Sequence, residues 1–237
     1  MLPIRKPLTP NVSKNPMKVA SKGAGELEPV LVLYGAPKTG KTTLTYAIPN
    51  AVHIMTEKGT RNEHVPVRDW DALCAAVEQV PVSVPLVIDT IDGCWELCRE
   101  FVSKALRVSV PEDAGYGQGT ARVKSLWSQF VRSTINHPLT VFVGHELAKT
   151  KNVAGLEIEK FSHQMPQSGR YYLEALADAT ICLRRDGAKR KLIIKDGMDE
   201  TVGCRYPDWF SGLAAVDLTD NPEKACQIFS GLLRTLT

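Results

Sequence analysis

The stretch Gly35-Ala36-Pro37-Lys38-Thr39-Gly40-Lys41-Thr42 fits the spacing G-x-x-x-x-G-K-[ST] at every fixed position. Residues of these types at this spacing can hold a triphosphate. Glycines let successive backbone N–H groups and a helix N-terminus close around phosphate oxygens. Lys41 would put a point charge between the β- and γ-phosphates, and Thr42 would offer a hydroxyl to Mg²⁺. Gly35 to Thr43 is therefore the expected cradle for ATP, with Thr43 extending the motif.

Two carboxylates could complete the chemistry. Pro85-Leu86-Val87-Ile88-Asp89 is an apolar run ending in an acid, which makes Asp89 the candidate to hold Mg²⁺ beside Thr42. Asp92 competes for that place, and its other reading is a helix cap. Hydrolysis also needs a group to orient water, and Glu57 directly follows an apolar run. It reads either as a general base or as a surface loop acid.

These groups need elements to position them. Val30–Tyr34, Ala51–Met55, Leu86–Ile88 and Leu139–Val143 are short strand-like runs, and the first ends at Gly35. Helical spacing follows over Thr42–Ile48, through Trp70, Leu73, Val77 and Val80, through Trp95 to Leu106, and through Val123 to Val131. Pro111–Gly119 and Leu147–Arg170 read as loops. Ala179–Leu183 and Lys191–Ile194 read as strands, with Val202–Tyr206 expected to pair with the second, before a helix over Pro222–Leu236. Strands alternating with helices predict an α/β fold with a mostly parallel sheet wrapped by helices.

Charge and composition set wider bounds. The net charge of +3 is too small to indicate a nucleic-acid partner by itself. Ahead of Glu26, five cations stand among four prolines with no acid, which reads as a flexible basic arm or a solubilising tail. The six cysteines are dispersed without a zinc pattern, so reduced thiols and a cytoplasmic protein are expected. No apolar window reaches membrane-spanning length, and no membrane partner is expected. The basic run Arg184, Arg185, Lys189, Arg190 and Lys191 reads as a nucleic-acid-facing hairpin or a solvated turn.

The strand order and motifs resemble the RecA-like ATPase core. They look closest to the small bacteriophage ATPases of that group that act as single-strand annealing recombinases. The resemblance spans roughly residues 29–210 and rests on four segments. These are Gly35 to Thr43, Thr56-Glu57-Lys58-Gly59, Val87-Ile88-Asp89-Thr90 and Phe142-Val143-Gly144-His145-Glu146. With the basic arm taken as 1–28, it implies one RecA-like P-loop NTPase domain over 29–237, with a late antiparallel hairpin. Within that domain, Glu57 would polarise the attacking water and His145 would sense the γ-phosphate.

The resemblance also gives the polar loops a role, lining a DNA path at about Ser109–Gly119 and Ala148–Arg170. Lys149, Lys151, Lys160, Phe161 and Arg170 suit single-stranded DNA, since cations neutralise phosphates and a ring can stack on bases. Glu157 and Glu159 dilute that charge. Relatives often carry a Lys-x-Arg pair on a late strand that reaches a neighbour's ATP. Here the place reads Gly203-Cys204-Arg205, leaving Arg205 as the expected trans-acting cation and Lys195 as the weaker candidate.

The expected activity is thus Mg²⁺-dependent ATP hydrolysis coupled to single-stranded DNA in recombination or annealing, in a host cytoplasm. Self-association into a ring or filament is expected, with a single-strand-binding protein as a candidate partner. A helicase-like or DNA-translocating ATPase, a P-loop kinase and a non-hydrolysing ATP switch are the alternatives.

Overall fold

The computed structural model describes residues 28–58, 60–153, 156–187, 189–195 and 201–236, without the side chains of 149–163 and 186. The basic arm expected over 1–28 lies outside the described residues except for its last position.

Val30–Gly35 (β1) is buried along its whole length, as a strand covered on both faces must be. Its alternate residues feed two different cores. Val30 and Val32 pack with Ile54, Leu86, Ile88 and Phe142 on one side of the sheet. Leu31 and Leu33 pack with Val87, Val141, Val143, Ile181 and Leu183 on the other. This division follows from the two-residue period of a strand.

The remaining strands are β2 (Val52–Met55), β3 (Val65–Pro66), β4 (Leu86–Asp89), β5 (Thr140–Val153) and β6 (Leu156–His163). They continue with β7 (Ala179–Asp186), β8 (Lys189–Ile193), β9 (Gly203–Cys204) and β10 (Ala215–Leu218). Among the described residues the sheet order is β10-β8-β7-β1-β5-β4-β2-β3. From β7 to β3 every pairing is parallel. β8 and β10 add antiparallel strands at one edge. The mostly parallel sheet flanked by helices, with a late antiparallel hairpin, is the fold expected of a P-loop core.

The first core is roofed by α2 (Trp70–Gln79), α3 (Ile91–Leu106), α4 (Gln118–Ser133) and α5 (Gln167–Leu176). On α3 the buried residues Ile91, Cys94, Trp95, Cys98 and Val102 recur at three- and four-residue steps. α6 (Pro222–Leu233) covers the second core through Ala225, Phe229 and Leu232. The short α1 (Lys41–Thr45) lies on that side through Leu44.

Several elements depart from the expectation. The segment read as a loop over Leu147–Arg170 is instead the far part of β5, all of β6 and the first turn of α5. β5 and β6 pair antiparallel from Glu146↔His163 to Val153↔Leu156. The apolar-polar alternation of Leu156-Glu157-Ile158-Glu159 is a strand signal that the surrounding charge obscures. β9 pairs with Ala179 and Thr180 of β7, whereas the sequence suggested β8 as its partner. β8 turns its free edge to the short β10, which carries too little pattern to be read from sequence. Pro111–Gly119 contains two 3₁₀ turns, and α4 begins at Gln118.

All six cysteines are free thiols, with Cys94, Cys98 and Cys182 buried. Among the described residues no helix is long and apolar enough to cross a membrane.

Candidate nucleotide site

β1 delivers the phosphate motif at its carboxyl end, and glycine is required there for two reasons. A Cβ on Gly35 would lie 2.2 Å from the Leu183 carbonyl oxygen, so only glycine lets β7 pair this closely. Gly40 has φ of +100°, a left-handed conformation that side chains rarely adopt. The loop then enters α1 at Lys41, where no side chain caps the first N–H groups of the helix.

Lys41 is buried and donates from Nζ to the carbonyls of Gly35 at 2.8 Å and Ala36 at 2.9 Å. Burial lowers its pKa, against the pull of Asp89, Asp92, Glu146 and Glu57. Thr42 Oγ1 donates to Asp89 Oδ2 at 2.6 Å. Asp89 is itself buried, which raises its pKa, while the Thr42 hydroxyl and Lys41 oppose that rise. A hydroxyl and a buried carboxylate already in contact form a hard oxygen pair of the kind Mg²⁺ takes beside substrate phosphates. The donor set fits the ion.

The insertion of β5 between β1 and β4 brings a third strand past this cleft, at the level where its parallel neighbours end. His145 on β5 lies level with Gly35 in register. Its ring Nδ1 is 2.8 Å from Asp92 Oδ2, and its backbone N–H donates to Asp92 Oδ1 at 3.1 Å. Burial pushes the Asp92 carboxyl up, but its several contacts with His145 more than offset this and hold it below its ordinary value. The hydrogen bond to Asp92 raises the His145 pKa, opposed by burial and aided by the charges of Asp92 and Glu57.

Glu57 follows β2 and completes the group. Its Oε1 accepts from Thr90 Oγ1 at 3.1 Å and stands 3.8 Å from His145 Nδ1. Thr90 is also the cap of α3, accepting from Gly93 N–H at 3.3 Å. Gly93 admits this arrangement, because a Cβ there would lie 2.2 Å from Thr56 Oγ1. Ligand atoms of Glu57, Asp92 and His145 fall within 4.8 Å of one another. The His145 ring is already engaged by Asp92 through Nδ1, whereas Thr42 and Asp89 offer two hard oxygens beside the phosphate loop, so they are the better cation pair.

These groups surround a cleft of about 460 Å³ that also takes in Lys38, Thr43 and Lys58. Thr39 turns away from it, donating to the Ala36 carbonyl at 2.9 Å and bracing the loop. The structure thus gathers Lys41, Thr42, Glu57, Asp89 and His145 at one place. Thr90 and Asp92 join them as positioning residues. Thr90 received no role from the sequence, and Asp92 was read only as a rival to Asp89 or a cap. The signal available was Asp89-Thr90-Ile91-Asp92, where a capping threonine stands between two acids at a strand-to-helix junction.

Arg205 is not brought to this cleft. It follows β9 at the amino end of the parallel strands, whereas the cradle lies at their carboxyl end. Its guanidinium pairs with Asp178 Oδ1 at 3.0 Å and donates to the Ala175 carbonyl at 3.1 Å. Within the chain Arg205 thus rests on Asp178 while staying half-exposed, and the role that sequence assigned it is at a neighbouring subunit's site, not this one. Lys195 likewise donates to the Pro207 carbonyl at 2.6 Å. The backbones of Lys149, Lys151, Lys160 and Phe161 lie on the β5–β6 hairpin, and their side chains fall outside the described residues. Arg170 sits in the first turn of α5, off the hairpin, with a buried Nε that has no partner among the described residues.

A parallel sheet of this order with a glycine-rich cradle at the end of β1 defines a P-loop NTPase. Residues 27–203 match the family described as the AAA domain, and the chain belongs to that family of nucleotide-binding ATPases. No curated protein matches the chain in sequence.

Proposed function

We propose that the chain is a Mg²⁺-dependent ATPase whose turnover is coupled to single-stranded DNA, of the annealing-recombinase type that its sequence resembles. The observation that carries this reading is the continuity of β5. His145 stands at the nucleotide cleft, and the same strand runs on to Lys149 and Lys151 in the hairpin. The peptide of His145 is held on both sides, its N–H by Asp92 and its carbonyl by the Gln164 N–H at 2.7 Å. A change at the γ-phosphate therefore has a short mechanical route to both strands of the hairpin.

In this reading Lys41 leaves its two loop carbonyls to bridge the β- and γ-phosphates. Thr42 and Asp89 hold Mg²⁺, which when bound would neutralise charge developing on the phosphates. Glu57, oriented by Thr90, takes the proton of a water whose oxygen bonds to the γ-phosphorus as the bond to the β–γ bridging oxygen breaks. His145 contacts the γ-phosphate while it is present and loses that contact after cleavage. The hairpin grips single-stranded DNA in the ATP state and releases it in the ADP state. Assembly into a ring or filament on DNA belongs to the same proposal, with a single-strand-binding protein as a candidate loading partner.

Glu57→Gln tests the assignment of the base. Turnover should fall by about 10²- to 10⁴-fold, while ATP binding persists and the complex with a single-stranded oligonucleotide gains lifetime. Turnover at the wild-type rate would remove Glu57 from the mechanism.

A further inference from the structure

Arg190 has no role in the chemistry so far, yet its side chain reaches the phosphate loop. It lies on β8, opposite Arg185 of β7 and Leu218 of β10. A Cβ placed on Gly40 would stand 2.9 Å from one terminal guanidinium nitrogen of Arg190 and 3.5 Å from its Cζ. The absence of a side chain at Gly40 is thus what lets the guanidinium rest against the loop. Cys226 of α6 belongs to the same neighbourhood. It donates to the Thr43 carbonyl at 3.4 Å, and its thiol, raised by burial, is pulled down by the Arg190 charge.

Among the described residues the cation also lacks an anionic partner. Arg190 is half-buried, its Nε is buried without a hydrogen-bond partner, and among the described residues no carboxylate pairs with it. A buried guanidinium nitrogen left without an acceptor is costly unless a ligand supplies one. The adjacent element is a loop built to hold phosphates.

Sheet order says which part of a nucleotide would meet it. Asp89, Glu57 and His145 stand on the β5–β4–β2 side of β1, whereas Arg190 comes from beyond β7 on the other side. The γ-phosphate must face the first group, so the chain leading back to the nucleoside runs toward the second. We propose that Arg190 is a second cation of the nucleotide site, supplied in cis, that binds α- and β-phosphate oxygens of the nucleotide. It rests on the reading of Gly35–Thr42 as the nucleotide cradle. Because those phosphates remain after hydrolysis, Arg190 holds ATP and ADP alike, unlike the groups around the γ-phosphate. A guanidinium fork suits this task better than an ammonium, since it can donate to two oxygens at once.

Calorimetric titration of the full chain and its Arg190→Ala and Arg190→Lys variants with ADP and with a non-hydrolysable ATP analogue tests this. Arg190→Ala should weaken both ligands by about ten- to a hundred-fold, in equal measure, and Arg190→Lys should fall between it and the parent. Unchanged ADP affinity, or a loss confined to the ATP analogue, would overturn the proposal. If the alanine variant does not fold, the lysine variant decides alone, with parental affinity for ADP as the contrary result. Failure of the parent chain to bind either nucleotide would instead overturn the cradle itself.

Discussion

Asp92 grips His145 at two points across 53 residues of sequence, through the ring at 2.8 Å and through the backbone N–H at 3.1 Å. The double contact fixes both the ring plane and the strand on which it sits. It also shifts the ring's titration. His145 is held above its ordinary value of 6.5, chiefly by the Asp92 hydrogen bond against the effect of burial. A raised folded pKa stabilises the native state fully below the unfolded value and loses that contribution as pH rises through the folded one. Turnover that uses the imidazolium beside the phosphates should therefore decline on the alkaline side of 6.5. Asp92→Asn should move that decline to lower pH, and His145→Gln should abolish it, both read from kcat/KM profiles over pH 5.5–9.

Thr90 joins two jobs in one hydroxyl, orienting Glu57 and capping α3. Thr90→Val should lower turnover and also reduce stability by about 0.5–2 kcal/mol through the lost cap. Thr90→Ser should restore both. Denaturant unfolding together with steady-state ATP turnover separates the two effects, because only the first survives correction for folded fraction.

Arg205 offers the opposite case. Its partner Asp178 is mostly buried and also accepts from the Val30 N–H at 3.0 Å at the start of β1. Arg205 itself is half-exposed, so Arg205→Ala should cost about 1 kcal/mol or less in stability. Turnover per folded molecule should stay near the parent rate. A collapse of turnover with intact ATP binding would instead mark Arg205 as a residue acting across a subunit boundary.

The contrast between these residues shows what the sequence could and could not reveal. The cradle was legible because it is local, eight consecutive residues whose types state their chemistry. Glu57 and Asp89 were legible as strand ends, since a parallel sheet delivers its carboxyl ends to one edge; His145 reaches that edge too, although β5 runs on beyond it. The Asp92–His145 grip, the Thr90–Glu57 bond and the Arg205–Asp178 pair join residues 53, 33 and 27 positions apart, and no local pattern encodes them. The β5–β6 hairpin was hidden differently. Its charged residues match a loop by composition, and only the pairing register shows that they alternate along two strands.

Steady-state ATP turnover with and without single-stranded DNA, over a series of salt concentrations, tests the coupling most directly. Turnover should rise on adding the DNA, and the rise should weaken with salt as phosphate contacts are screened, each contact contributing a slope of about 0.7 on a single strand. Turnover that is indifferent to single-stranded DNA at every salt concentration, from a protein that binds and hydrolyses ATP, would contradict it.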